Sequence, residues 1–171
     1  MTRPEAARLI DGCEAPHIRL FVLLALQTAA RAAAILELTW ERVDLEQRRI
    51  DFRLPGRAST KKGRAQVPIN DTLLEALRVA SEARTTNHVI EWAGGQVASI
   101  KTGFRAAATR AKLAQVTPHT LRHTAATWMA QKGVPWWEIA GMMGHTSPRM
   151  LEETYGHHHP DHLSHASAAL G

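Results

Sequence analysis

"TPHTLRHTAATWMA", residues 117–130, combines a helix start, an apolar stripe and a set of cations in one short run. Thr117 ahead of Pro118 is an N-cap residue followed by proline at the first helical position, and Gly133 supplies the stop. Along this helix Leu121, Ala125, Trp128 and Met129 recur at i, i+4, i+7 and i+8, so one side belongs in a core. His119, Arg122 and His123 fall within about 100° of arc beside that stripe, with His119 and Arg122 sharing an edge. A helix N-terminus adds unpaired N–H groups and a partial positive charge, so such an edge suits an anion. The plainer reading of the same residues is a basic face turned to solvent.

Composition sets the surroundings of that helix. At 171 residues the chain has the length of one domain, and 44% hydrophobic residues are enough for a core. Leu and Ala dominate while aromatics stand at 5%, which favours helices over sheet. A net charge of +5 leans towards a polyanionic partner. One cysteine, Cys13, excludes an intrachain disulfide and fits a reducing cytoplasm. The most apolar run, "RLFVLLALQTAARAAAI" (19–35), is broken by Gln27 and Arg31 and is too short for a bilayer. No signal peptide precedes it. The expectation is a cytoplasmic protein that does not enter a membrane.

The rest of the chain reads as helices around one small sheet. Thr2 and Glu5 have capping-box spacing, and Gly12 closes a short first helix. Residues 16–30 are apolar on nearly every side, the mark of a helix inside the fold. A short helix over 32–38 follows Arg31. "RRIDFR" (48–53) and "RAQVPI" (64–69) read as two strands of a β-hairpin whose tip is basic. Asn70 caps a helix with Leu73, Leu74, Leu77 and Ala80 on one stripe. "HVIEW" (88–92) reads as a further short strand, and helices follow over 99–113, 118–132, 135–143 and 148–155. The fold class is therefore α+β, mainly α-helical, with a small antiparallel sheet over about 48–69 packed on helices.

Four more features carry chemistry. Arg31 is the one charge between Arg19 and Glu37 and sits among alanines, where a bulky ligand can approach its planar fork. Lys61 and Lys62 sit on the hairpin tip. His145 follows Gly144, a helix stop. Tyr155, the only tyrosine in the chain, ends the last of those helices ahead of Gly156. Each has a plain alternative: a snorkelling arginine, solvated turn lysines, a histidine after a glycine.

In order, Arg31, Lys61, His119-x-x-Arg122, Gly144-His145 and Tyr155 resemble the tyrosine recombinase (phage integrase) family across its catalytic domain. The likeness lies in "TAARAAAILELTW", "TKKGRAQVPI", "HTLRHTAAT", "MMGHTSPRM" and "TYGH". It implies that Arg31 and Arg122 are the two catalytic arginines, His119 and His145 the two histidine positions, and Tyr155 the nucleophile. Lys61 matches the hairpin lysine, with Lys62 as the neighbour that a one-residue shift would select. The implied activity is site-specific recombination of double-stranded DNA through a 3′-phosphotyrosyl intermediate, for integration or excision of mobile DNA. Residues 1–171 would form a single catalytic domain without the family's N-terminal DNA-clamping domain. The implied assembly is a tetramer on paired DNA sites and a monomer when free.

The chemistry explains the set. A phenol with an unperturbed pKa of about 10 needs surrounding cations to attack a phosphodiester. Two arginines stabilise charge on the nonbridging oxygens, and a lysine on a turn can protonate the departing 5′ oxygen. The ester conserves bond energy, so no cofactor or metal is required. The family often has glycine where Ala29 stands and an acidic residue where Ala34 stands. These departures keep a second reading in view, a relative that grips phosphates without cleaving them. A third is a zinc site from His157, His158, His159, His162 and His165, where His158 and His162 are spaced i,i+4.

Overall fold

A computed structural model describes residues 1–54, 56, 64–145 and 147–170. Helix α1 (Arg3–Asp11) starts as the capping residues predict: the Thr2 hydroxyl accepts from the Glu5 amide, and the Glu5 carboxylate accepts from the Thr2 amide. Helix α2 (Pro16–Thr28) is buried along most of its length, as its all-round apolar sequence requires. It packs against α3 (Ala32–Leu36), α4 (Asp71–Glu82) and, most extensively, α6 (Pro118–Gln131). The Asn70 side chain caps α4 by accepting from the Leu73 amide at 3.0 Å. Helix α6 begins with the Thr117 hydroxyl accepting from Thr120 N–H, two residues ahead of the histidine that opens its cationic edge.

The sheet has three antiparallel strands rather than two. β2 (Arg49–Asp51) pairs with β3 (Gln66–Pro68) as the hairpin reading expects, and β1 (Val43–Asp44) adds to the other edge of β2. Ile50 lies opposite both Val43 and Val67, and Ile50 and Val67 point into the core. The basic tip lies outside the described residues. The "HVIEW" strand is shorter than expected: only β4 (Glu91–Trp92) is a strand, and it forms a two-residue hairpin with β5 (Gly95–Gln96). Ala93 and Gly94 both have positive φ, the turn geometry that matches strand twist in such hairpins.

Four helices complete the chain. α5 (Lys101–Arg110) is shorter than the 99–113 expectation, and α7 (Trp136–Met143) ends at Gly144 in the left-handed conformation. α8 (Arg149–Tyr155) leads into a 3-10 turn over Gly156–His158, and α9 (Ser164–Ala168) forms near the C-terminus. The core is split. A large cluster gathers Phe21, Leu24, Ile35, Ile50, Leu73 and Phe104 from α2 to α5 and the sheet, each contributing about 1.5–3 kcal/mol of burial. A small one joins Ala29 to Ala125, Ala126 and Ala130 of α6, Ile139 and Met143 of α7, and Leu151 and Tyr155 of α8. Helix α6 lies between them, with Leu121 and Trp128 in the first and its alanines in the second. Among the described residues no helix is long and apolar enough to cross a membrane.

Candidate active site

The site forms where α2 ends. Its C-cap, Ala29, adopts φ 53° and ψ 19°, a left-handed conformation in which the chain turns sharply into α3. That geometry favours glycine, the residue the resemblance leads one to expect there, and alanine holds it here at a cost of about 1–2 kcal/mol. The turn leaves the Ala29 carbonyl aimed at α6. It also brings Arg31 to the lip of a concavity of about 180 Å³ lined by Ala30, Arg31, Ala32, Pro118, His119 and Arg122. Arg31, His119 and Arg122 thus share one hollow, although about half of the chain separates Arg31 from the other two.

Arg122 is the most telling group. Only 4% of it is exposed, so the basic-face reading of α6 does not hold at this position. Nη1 donates to the Ala29 carbonyl, and Nη2 donates to the Met143 carbonyl at 2.9 Å and to His145 Nε2 at 2.8 Å. Among the described residues no carboxylate pairs with it. Burial, reinforced by the Arg31 charge, pushes its pKa down to about 10, so it stays charged at neutral pH. A buried cation held on carbonyl dipoles, with no carboxylate beside it among the described residues, has the chemistry of an anion-binding group.

His145 must accept from Arg122, since a guanidinium has no lone pair to offer; its proton therefore sits on Nδ1. Burial first, then Arg122 and Arg31, hold its pKa below the ordinary imidazole value. Tyr155 is 5% exposed and its hydroxyl is hydrogen-bonded to His123 Nδ1. Burial raises the phenol pKa, against the opposing pull of Arg122. His123 Nε2 in turn lies 2.8 Å from His119 Nε2, the two rings meeting edge to face.

Of the residues singled out in the sequence, Arg31, His119, Arg122, His145 and Tyr155 are brought into one connected group. Lys61, and Lys62 beside it, lie outside the described residues. Two features were missed. His123 was visible on the cationic arc at i+4 from His119, but its link to Tyr155 spans 32 residues of sequence. The second is an ion pair under the hairpin: Arg64 Nη2 lies 2.6 Å from Glu37 Oε2, and the Arg64 charge, after burial, lowers the Arg31 pKa. Ala34 leaves no carboxylate at its own position, but Glu37, one turn further, supplies one to this neighbourhood. Among the described residues no group of three or more metal-ligating side chains is placed to hold an ion. His159 instead packs on Trp136.

The sequence pattern described as the phage integrase family matches residues 1–162. The chain belongs to the phage integrase family. This phage integrase relative is 32% identical to the integrase of Salmonella phage P22, over 94% of this chain and 44% of that protein. It spans less than half the length of the curated relatives it matches. Its fold is that of the bacteriophage HP1 integrase catalytic domain, with a TM-score of 0.74 at 23% identity, covering 98% of this chain and 92% of that one. The Tn1549 transposon integrase, solved in complex with transposon right end DNA, has a TM-score of 0.80 at 18% identity, covering 99% and 65%.

Proposed function

We propose that this family member is a site-specific DNA recombinase catalytic domain that breaks and rejoins strands through a phosphotyrosyl intermediate. The observation that carries the reading is Arg122: a buried, charged guanidinium with no carboxylate partner among the described residues, opening on the hollow that Arg31 and His119 also line. A phosphodiester is the anion that fits two planar forks and an imidazole. Support for DNA as its source comes from the net charge of +5 and from family membership.

In this reading Arg31 and Arg122 hold the nonbridging oxygens and stabilise the charge that builds up on them. His145, its Nε2 occupied by Arg122, keeps a proton on Nδ1 to donate, and His119 donates from the lining of the hollow. The Tyr155 oxygen attacks phosphorus, the P–O5′ bond breaks, and Lys61 gives the leaving oxygen its proton. The 3′-phosphotyrosyl ester is later attacked by a 5′-hydroxyl from another strand, so no metal or nucleotide enters the reaction. Recombination then requires two duplex sites and a tetramer assembled on them from subunits that are monomeric when free.

The test is a library of nicked suicide duplexes with randomised sequence, incubated at low salt and resolved under denaturing conditions. The expected result is a covalent protein–DNA adduct that disappears in Tyr155→Phe. An adduct that survives in Tyr155→Phe overturns the nucleophile assignment, since the chain has no other tyrosine. Salt-sensitive binding with no adduct from any duplex would make the protein a phosphate-gripping relative without catalysis.

A further inference from the structure

We propose that His123 is a catalytic base, taking the proton of the Tyr155 hydroxyl at Nδ1 and passing its own Nε2 proton to His119. The inference rests on Tyr155 being the nucleophile of the function proposed above. Its observation is a continuous line of hydrogen bonds from α8 to the anion hollow: Tyr155 Oη to His123 Nδ1, and His123 Nε2 to His119 Nε2 at 2.8 Å. The i,i+4 spacing of His119 and His123 on α6 sets the second contact. The first exists because the small alanines of α6 let α8 lie close.

The direction of each bond follows from what the groups can offer. Tyr155 is almost wholly buried among Ala126, Ile139 and Leu151. A phenol that only accepted there would leave its own proton unpaired. It therefore donates, and His123 Nδ1 must carry the lone pair. A neutral imidazole with a bare Nδ1 has its proton on Nε2, which donates to His119 Nε2. That assignment leaves the His119 proton on Nδ1, free to point at an anion in the hollow His119 lines. Among the described residues the charged and titratable groups that act on His123 are His119 and Arg122 on α6 and Tyr155 on α8. Burial first, then His119 and Arg122, hold the His123 pKa below the ordinary imidazole value, so the ring is neutral and can accept.

In the resting protein the proton stays on the phenol, because burial raises the Tyr155 pKa. A phosphodiester in the hollow changes the balance, since its negative charge favours an imidazolium at His119. As the Tyr155 Oη–P bond forms and the P–O5′ bond breaks, the phenol proton moves to His123 Nδ1. The His123 Nε2 proton moves to His119 Nε2, which becomes an imidazolium against the phosphate. The departing 5′ oxygen takes its proton from the Lys61 ammonium, so proton and charge are both accounted for. Nucleophile activation and phosphate neutralisation are then one event.

Because Tyr155 is the only tyrosine, biosynthetic replacement with 3,5-difluorotyrosine acidifies that one phenol, and a ¹³Cζ-tyrosine label gives one resonance. The experiment measures adduct formation on the nicked duplex and the ¹³Cζ shift for the unsubstituted chain, His123→Ala, His123→Asn and Tyr155→Phe. Losing a general base lowers the rate by about 10²–10⁴-fold in both His123 variants. Difluorotyrosine should restore much of that loss in His123→Ala and change the unsubstituted chain far less. His123→Asn keeps an acceptor for the phenol, so its ¹³Cζ resonance should stay near the parent position while its rate stays low. Either His123 variant cleaving within about threefold of the parent while Tyr155→Phe is inactive would overturn the relay and leave the nucleophile standing. A slow His123→Ala that fluorination does not rescue would also overturn it, as a structural effect. An adduct from Tyr155→Phe would instead sink the reading beneath it.

Discussion

The large core and the small one share helix α6 but are built from different residues. The large cluster fills its space with Phe21, Leu24, Ile35 and Leu73, side chains that fix α2 against α3, α4 and the sheet. The small cluster uses Ala125, Ala126 and Ala130 where the large one would use leucine. Alanine gives little burial per residue but allows backbones to approach. That closeness lets α8 hold Tyr155 against His123 and lets the end of α7 offer its Met143 carbonyl to Arg122. One core is a scaffold; the other mounts the groups proposed above to react.

Truncations separate these roles. Phe21→Ala should lose about 3–5 kcal/mol of unfolding free energy in urea. Adduct formation per folded molecule should stay close to the parent, since the lost ring is in the scaffold. Leu151→Ala should lose less, about 2–3 kcal/mol, yet cut adduct formation by folded protein, because it loosens the helix that carries Tyr155. Equal activity losses per folded molecule would erase the distinction.

Ala29, where α2 of the large core ends in the small one, gives a smaller effect. With φ at 53°, Ala29→Val forces a β-branched residue into the left-handed region and should lose about 2 kcal/mol. Ala29→Gly relieves strain but loses a buried methyl group and adds freedom to the unfolded chain, so its urea midpoint should move little.

The smallest effect is the pH dependence of the small core. The His145 and His123 pKa values in the folded chain lie below that of an unfolded imidazole, near 6.5. As pH falls through about 6.5, the unfolded chain takes up protons first and stability declines until the lower folded values are passed. His145→Gln should show a shallower decline of the urea midpoint between about pH 7 and pH 5 than the parent. An identical slope would mean that His145 is solvated rather than held by Arg122.

Local signals were legible in the sequence and distant ones were not. Thr2, Asn70 and Thr117 announce the starts of α1, α4 and α6 because a cap acts within one turn of its residue. The two-residue strands β1, β4 and β5 show no alternation to read. Gly133 and Gly144 mark left-handed stops, whereas Ala29 adopts the same region and its sequence gives no sign of it. The order of Arg31, His119, Arg122, His145 and Tyr155 was enough to expect a shared site. The bonds among them depend on helix packing, which is why the burial of Arg122 could not be read from α6 alone and His123 had no role.

Arg122 spends three of its donor contacts on groups from different parts of the chain: the turn after α2, the last turn of α7, and the loop residue His145. The guanidinium is therefore a tie-bar as well as a charge. Any swing of α7 and α8 away from α2 has to unfasten it, and a phosphate bound there as proposed would tighten the same joint. Occupancy of the hollow and the seating of the tyrosine helix become a single thermodynamic variable, which a lysine, lacking the planar fork, would uncouple.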